Sequence, residues 1–171
     1  MEQLPNTISE YHQYYIHLIK TDDILHELKR QGDEFTSYLS KLSEPQSNYS
    51  YAKGKWTIKE IAGHVADSER VFAYRALRFA RNDKTALPGF EQDDYVASAN
   101  FNKRTMIDLI EELKLIRASN IALIKTFSEE ELNRCGTASG NLYTVKSLVY
   151  MIAGHQKHHL NVLQEKYSEA N

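Results

Sequence analysis

Hydrophobic residues recur at every third or fourth position along most of the chain, and polar residues fill the positions between them. This spacing is typical of amphipathic α-helices, whereas a half-buried strand would show strict alternation. The pattern predicts four long helices, over residues 23–42, 57–81, 105–127 and from residue 144 onward, after a shorter helical segment at residues 10–19. We therefore predict an all-α fold.

Polar residues at the predicted helix starts support these boundaries. Thr57 and Glu60 have the spacing of a capping box, in which each side chain binds the backbone N–H of the other residue. Thr105, followed three residues later by Asp108, begins the third long helix, and Thr144 is suited to cap the fourth. The sequence thus marks the start of three of the four long helices.

The connection between the second and third long helices is unusually long. Residues 82–101 contain Pro88-Gly89 and no sustained period, so they predict a surface crossover with at most a short helix at residues 93–99. A crossover of this length lets the two helices that it joins run parallel, as in other bundles with long connections. We predict a four-helix bundle with this crossover, and a polar loop at residues 133–143 before the last helix.

Composition limits the architecture and the environment of the protein. The 171 residues are 42% hydrophobic and contain no Gly/Pro-rich linker, which predicts one domain over residues 1–171 with a sizeable core. A metal ion in such a chain would serve chemistry more than folding. The single Cys135 cannot form an internal disulfide, and no secretion signal or apolar run of about 20 residues is present. We expect a cytoplasmic protein without a membrane span.

The charge distribution argues against nucleic acid as a partner. Acidic and basic residues are interspersed, and the formal net charge is -2. Such a chain has no extended basic surface to attract phosphates or anionic lipid. We therefore expect small-molecule partners.

The last predicted helix carries histidines where apolar residues would pack better. His155 and His159 are four residues apart, so they lie about 40° apart on the helix surface. Both fall on the stripe of Leu148 and Ile152, which faces the core. His158 is displaced to the flank of this stripe and is expected at the rim. Two imidazoles at this spacing can reach one transition-metal ion.

The second long helix offers a third inward histidine. His64 lies on the stripe of Ile61 and Val65, and it follows a glycine, as His155 does. Three neutral imidazoles facing one cavity would form a site for zinc or another divalent ion with a position open for water or substrate. The alternative is that each histidine is a core residue satisfied by one hydrogen bond. The residues alone leave both interpretations open.

Other polar and aromatic residues near these positions are candidates for supporting roles. Asp67 and Ser68 follow His64 by three and four residues and could orient a ligand or a bound water, or belong to a solvated helix face. His158 could act as a general base near the mouth of the site. Trp56 fits an apolar staple beside the Thr57 cap, with a substrate wall as the alternative. We interpret His12, His17 and His26 as surface or packing residues.

Three blocks of the sequence resemble the DinB superfamily, in particular its metal-dependent hydrolase and bacillithiol-transferase-like branch. They are "GKWTIKEIAGHVADSERVFAYRALRFARND", "LPGFEQDDYV" and "SLVYMIAGHQKHHLNVLQEKY", in this order. The resemblance implies a four-helix bundle that holds a metal, often nickel or zinc, through one His on the second helix and two on the fourth. These positions match His64, His155 and His159; manganese and iron are further candidates.

The resemblance also implies several activities. Related proteins include bacillithiol-dependent S-transferases and mycothiol-dependent isomerases, and in the transferases the thiol binds the metal as a thiolate. We expect a metal-dependent transferase that joins a low-molecular-weight thiol to a small electrophile, or a hydrolase that uses water instead. Alternatives are a non-catalytic metal-binding or stress-response bundle, and a homodimeric interaction module with interface aromatics such as Tyr14 and Tyr15.

Overall fold

The computed structural model describes residues 10–168, except for the side chain of Tyr11. Four long helices form its body, and shorter elements pack around them. In chain order the elements are α1 (Glu10–His17), α2 (Ile24–Leu39), α3 (Glu44–Ser47), α4 (Ile58–Ala80), α5 (Gln92–Ala99), a 3-10 turn (Phe101–Lys103), α6 (Met106–Ile124), α7 (Glu129–Asn133), β1 (Cys135–Ala138), β2 (Asn141–Thr144) and α8 (Val145–Lys166).

The predicted capping residues begin three of the long helices. Thr57 accepts the backbone N–H of Glu60 at 3.2 Å, and the Glu60 carboxylate accepts the Thr57 N–H at 2.7 Å. Thr105 and Thr144 each accept a backbone N–H three residues later, at the starts of α6 and α8. These local hydrogen bonds satisfy N–H groups that have no partner inside the helix.

The long helices pack as a bundle in which α2 and α4 each contact both α6 and α8. Glu60 of α4 meets Asn102 just before α6, and Glu69 meets Arg117 further along both helices. Because the paired residue numbers rise together, α4 and α6 run parallel, as predicted from the long crossover. The hydroxyl of Tyr167, after α8, donates to the carbonyl of Trp56, before α4, so these two helices are antiparallel. The predicted four-helix bundle is confirmed.

The crossover contains one short helix, close to the position that the sequence predicts. Its α5 spans Gln92–Ala99 and packs against α4. The following Asn100 has a positive φ of 55°, a conformation that asparagine tolerates better than most residues, and it turns the chain into the 3-10 turn. None of the helices in residues 10–168 combines the length and the apolar composition that a membrane crossing requires.

The prediction of a polar loop at residues 133–143 was wrong. Between the end of α7 and the start of α8 this segment forms an antiparallel hairpin of β1 and β2, in which Cys135 pairs with Thr144 and Ala138 with Asn141. Cys135 therefore lies in a strand and not in a loop. Gly136 allows β1 to lie directly on α4, because a Cβ atom there would be about 2.1 Å from the Phe79 ring. Apart from this small hairpin, the regular elements of the described residues are helical, so the expected all-α class is confirmed.

The hairpin also fixes the crossover. The N–H of Leu87 donates to the carbonyl of Thr137 at 2.9 Å, and the N–H of Ser139 donates to the carbonyl of Leu87 at 3.0 Å. These bonds hold the segment around Pro88 against the turn of the hairpin. Two parts of the chain that are about 50 residues apart thus meet over one end of α4.

The core of the bundle is divided in two. One hydrophobic cluster includes Leu28, Phe72 and Ile152, and the other includes Phe35, Val65 and Leu160. Buried polar side chains from all four long helices lie between the clusters, and we call them the polar layer: Gln31, His64, Ser68, Glu69, Arg117, Asn120, His155, Gln156 and His159. The three candidate ligands are part of this layer.

Candidate metal centre

The structure brings His64, His155 and His159 together. The Nε2 atom of His155 is 3.0 Å from Nε2 of His64 and 3.1 Å from Nε2 of His159. One nitrogen from each of the three rings lies within 4.8 Å of the others. Among the described residues, this is the group of His, Cys, Asp and Glu side chains with the geometry to hold a metal ion.

Helix geometry explains this convergence. His155 and His159 are one turn apart on α8 and point in the same direction, and His64 faces them from the adjacent α4. Gly154 lets α1 cross α8 beside the site, since a Cβ atom there would be about 1.9 Å from the carbonyl oxygen of Tyr15. The glycine before the third histidine, Gly63, makes room for a side chain instead of a backbone, the ring of Phe101.

Burial keeps the three imidazoles neutral at physiological pH. His64, His155 and His159 are 3%, 5% and 9% exposed. Burial lowers the pKa of His64 to about 4. Burial, followed by the neighbouring imidazoles, holds the pKa of His155 and of His159 well below 6.5. A neutral imidazole has a free lone pair, which is the form that binds metal ions.

The donor set fits a divalent metal ion better than it fits an ordinary hydrogen-bonded core. A neutral imidazole has one N–H donor and one acceptor. Without an ion, the three converging Nε2 atoms can satisfy each other only if the one lone pair of His155 accepts from both His64 and His159, which lie 3.0 and 3.1 Å away. Three nitrogens on a shared cation instead leave each Nδ1 as a donor, and Nδ1 of His64 lies 3.5 Å from the hydroxyl of Ser68.

Aromatic rings enclose the cluster. The indole of Trp56 lies 4.7 Å from the His64 ring, between ring centroids, and the phenol of Tyr15 lies 5.3 Å from the His155 ring. Phe72 contacts His155 at 5.7 Å. Because Tyr15 is 1% exposed, it cannot contribute to the dimer surface considered above, whereas Tyr14 is 47% exposed. These rings limit the access of water to the nitrogens.

Two cavities reach the cluster through different histidines, each with a volume of about 320 Å³. The indole-side cavity has His159 in its wall, and the arginine-side cavity has His155 in its wall. The indole-side cavity is lined chiefly by Tyr51, Lys55, Trp56, Asp93, His158 and His159. The arginine-side cavity is lined chiefly by Tyr15, Ser68, Phe72, Arg75, Phe90 and His155.

Comparison with known proteins identifies the family. The sequence profile of the DinB superfamily matches residues 27–163. The chain belongs to the DinB superfamily. This confirms the resemblance that the three sequence blocks carry, and it covers the helices that contribute all three histidines.

Two further proteins are similar to this chain, one in sequence and one in structure. A protein of Oceanobacillus iheyensis named "Putative metal-dependent hydrolase" is 26% identical over 149 residues, which is 82% of this chain and 83% of the relative. YfiT from Bacillus subtilis, described as a probable metal-dependent hydrolase with an unusual four-helix bundle topology, superposes with a TM-score of 0.74 at 15% identity, covering 98% of this chain and 92% of YfiT.

A third similar structure is a mycothiol-dependent maleylpyruvate isomerase. It superposes with a TM-score of 0.68 at 15% identity, and the match covers 85% of this chain and 61% of the isomerase. At this identity the likeness is one of fold. The names of the relatives and the histidine cluster together support a metal-dependent enzyme in the broad sense.

The supporting residues predicted for this DinB-superfamily site differ in how close they lie to the three histidines. Ser68 lies beside His64 and lines the arginine-side cavity. His158 is half-buried, contacts the His159 ring at 5.0 Å and lines the indole-side cavity, in agreement with a rim position. Asp67 instead pairs with Arg70 at 3.4 Å, and within residues 10–168 no hydrogen bond joins it to the three histidines.

The remaining aromatic and histidine predictions are also resolved by their contacts. Trp56 packs against the hydrophobic cluster that includes Phe35, as expected of an apolar staple, and it also contacts the His64 ring and lines the indole-side cavity. His12 packs against Tyr143, with Nδ1 2.7 Å from the phenol oxygen. His17 and His26 are exposed. The interpretation of these three histidines as surface or packing residues is confirmed.

Sequence reasoning missed Arg75 as a residue close to the candidate site. The structure buries it in the wall of the arginine-side cavity. Arg75 follows His64 by 11 residues, which is close to three helical turns, so both lie on one face of α4. That spacing was the available signal.

Proposed function

We propose that this chain is a divalent-metal-dependent enzyme in which His64, His155 and His159 hold the ion. The observation that carries the proposal is the convergence of three buried, neutral imidazole nitrogens on one point between α4 and α8. Three protein ligands are typical of catalytic sites, because structural zinc sites use four. Imidazole ligands suit zinc, nickel, copper and iron, and we propose zinc or nickel, with manganese and iron as further candidates. When bound, the ion acts as a Lewis acid that lowers the pKa of a coordinated thiol or water.

We further propose that the reaction transfers a low-molecular-weight thiol, such as bacillithiol, to a small electrophile. The thiol loses its proton to solvent, its sulfur forms a bond to an electrophilic carbon, and a leaving group departs from that carbon with the electron pair of the broken bond. Two cavities with no lining residue in common lead to the cluster, one beside His159 and one beside His155. A transferase must bring two molecules to one point, and this arrangement provides a separate approach for each. The mycothiol dependence in the name of the isomerase is consistent with a thiol as one of them.

The chain's own residues would position and protect the reactants. Trp56 and Tyr15 cover the ligands on the two sides and restrict water. The Ser68 hydroxyl lies beside Nδ1 of His64 and can accept a hydrogen bond from the Nδ1–H group. This bond would orient the ring with Nε2 toward the ion. His158 lies at the rim of the indole-side cavity, where it can contact an entering reactant.

Hydrolysis is the second candidate function. The same three histidines would serve it with water in place of the thiol. The curated relative from Oceanobacillus iheyensis carries this activity in its name, and it shares 26% identity with most of this chain. Hydrolysis needs one organic substrate, so it would leave one of the two cavities without a reactant.

Elemental analysis of protein purified without a histidine tag tests the metal site. We expect about one metal ion per chain in the wild type and loss of the ion in the His64→Ala and His159→Ala variants. His26→Ala is the matched control, because this histidine is exposed and outside the cluster. If the wild type contains no metal and takes up neither zinc, nickel nor manganese, the three histidines are core residues and the proposal is wrong.

Thiol titration of the cobalt-loaded protein separates the two reactions. A thiolate-to-cobalt charge-transfer band, together with faster loss of a generic electrophile in bacillithiol, glutathione or cysteine, is expected for a transferase. Ester or amide cleavage without thiol is expected for a hydrolase. If no thiol accelerates loss of the electrophile above the rate with metal-free protein, the transferase proposal is wrong.

A further inference from the structure

A buried arginine that forms no ion pair with the described residues lines the arginine-side cavity. Arg75 is 4% exposed. Its Nη2 donates to the carbonyl of Pro88 and to the hydroxyl of Ser139, both at 2.9 Å. Its Nε and Nη1 make no hydrogen bond to any residue of the described part of the chain. Part of the guanidinium therefore remains available to a bound molecule.

The absence of an anion beside Arg75 contrasts with the other buried arginine of the bundle. Arg117 has both oxygens of Glu69 at 2.8 Å. For Arg75, no carboxylate within residues 10–168 lies within 4 Å of the guanidinium. Two of its neighbours are neutral aromatic side chains: the ring of Phe90, 5.9 Å away, and the phenol of Tyr143. An arginine stays charged in proteins, and burying a charge without a counter-ion costs on the order of several kcal/mol of folding free energy.

The remaining polar residues of the cavity do not neutralise this charge. Glu91 also lines the cavity, but its side chain is exposed and forms no ion pair with Arg75. Burial, and then the positive charge of Arg75, lower the pKa of His12, so that this imidazole is neutral at pH 7. Arg75 is consequently the one cation among the lining residues that the structure describes, and a single negative charge would balance it.

The position of Arg75 relates it to the candidate metal centre. Phe72 contacts the ring of His155, and Arg75 follows Phe72 by one helical turn, about 4.5 Å along the axis of α4. Ser68, one turn before Phe72, lies beside His64 in the wall of the same cavity. A short molecule in this cavity could therefore contact the guanidinium at one end and face the histidines at the other.

We propose that Arg75 binds the carboxylate of the electrophilic substrate, which is therefore a short organic acid that reacts at the end away from its carboxylate. The planar guanidinium matches a carboxylate in shape and in charge, and Ser139 adds a hydroxyl beside it. A phosphate dianion fits less well, because it would bring two charges to one arginine. This inference rests on the proposed function, since the cluster of histidines defines the reacting end.

Binding of simple probes to the metal-loaded protein tests the anchor. The probes are butyrate, its neutral isostere butyramide, and inorganic phosphate. We expect butyrate to shift the Nε–Hε resonance of Arg75 in a nitrogen-proton NMR spectrum, and butyramide and phosphate to bind at least tenfold more weakly. Equal affinity for butyrate and butyramide would overturn the anchor, and tighter binding of phosphate would overturn the choice of a carboxylate. This comparison needs no variant.

Substitutions provide the second arm. We expect Arg75→Gln to weaken butyrate at least tenfold, and Arg75→Lys to restore part of the affinity, because lysine keeps the charge and loses the planar fork. Arg78→Gln is the matched control, since Arg78 is one turn further along α4 and pairs with Asp83. The affinity of this variant for butyrate should stay within twofold of the wild-type value. Circular dichroism and metal content establish that each variant is folded. Unchanged butyrate affinity in Arg75→Gln would overturn the proposal.

The same measurements on metal-free protein keep this inference distinct from the proposed function. If the protein binds metal but butyrate leaves the Arg75 resonance unmoved in both states, the anchor is wrong and the metal site stands. If the protein takes up no metal but butyrate still moves that resonance, the anchor stands and the proposed function is wrong.

Discussion

Nε2 of His64 lies 3.0 Å from Nε2 of His155, although the two residues are separated by 91 positions in the chain. Contact at this distance requires α4 and α8 to pack side by side with one particular register. The pair therefore links the packing of α4 against α8 to the candidate metal site, so substitutions at these histidines test both.

We predict that zinc or nickel raises the thermal unfolding midpoint of the wild type. A ligand that binds only the native state stabilises it by about 2.7 kcal/mol at a free concentration 100 times its Kd. Differential scanning fluorimetry with and without metal measures the shift. His155→Ala should abolish it and His17→Ala, an exposed position, should retain it; a shift of equal size in His155→Ala would place metal binding elsewhere.

The buried pair of Glu69 and Arg117 should be important for stability. Both side chains lie in the polar layer, and the pair is joined by two hydrogen bonds of 2.8 Å. Removal of one partner by Glu69→Gln or Arg117→Met leaves a buried group unpaired, so we expect a loss of about 3–5 kcal/mol. Urea unfolding measures it.

A surface ion pair offers the control for that experiment. Arg81 and Glu131 lie 2.9 Å apart, and the Arg81 side chain is 54% exposed. Arg81→Met should cost about 0–1 kcal/mol. Similar losses at the buried and the exposed pair would show that the polar layer contributes no more than the surface does.

Gly154→Ala should disrupt the packing of α1. The added methyl group would lie about 1.9 Å from the carbonyl oxygen of Tyr15, and a backbone atom cannot move aside as a flexible side chain can. We expect a lower unfolding midpoint and faster amide hydrogen exchange in residues 10–17, despite the higher helix propensity of alanine, about 1 kcal/mol. An unchanged midpoint with unchanged exchange would contradict the close approach of α1 and α8.

The stability of the protein should fall on the acid side of neutrality, in part through His12. Burial, and then Arg75, lower the pKa of His12 below its usual 6.5 in the folded state. The unfolded chain therefore binds a proton at higher pH than the folded chain, and the contribution of this residue is complete above pH 6.5 and decreases as the pH falls through the folded-state value. Urea unfolding of the wild type and His12→Gln at pH 7.5 and 5.5 isolates it. The variant should lose less stability than the wild type over this interval.

The parts of the fold that the sequence predicted well depend on local signals. The period of the apolar residues and the caps at Thr57, Thr105 and Thr144 act within one or two helical turns, and the structure reproduces them. His155 and His159 could be paired for the same reason, since they are one turn apart. Their meeting with His64 was a hypothesis, because it depends on which helices become neighbours.

The features that the sequence did not reveal depend on distant contacts. The strand β1 is made of Cys135, Gly136, Thr137 and Ala138, which have no strong strand pattern, and it is stabilised by β2, Leu87 and the Phe79 ring. Arg75 is buried because Pro88 of the crossover and Ser139 of the hairpin close over it. Neither the contacts of β1 nor those of Arg75 with Pro88 and Ser139 could be inferred from spacing along the chain.

The polar layer has a consequence for how the helices find their alignment. Apolar side chains tolerate sliding, since one leucine contact can replace another. A slip of α8 by one turn, about 5.4 Å, would instead put one of His155 and His159 in the place of the other and move the second against a hydrophobic cluster. Buried polar groups without partners make such a state costly. The residues that would perform the chemistry thus also select one native register of the packed helices, whereas a purely apolar core would permit many.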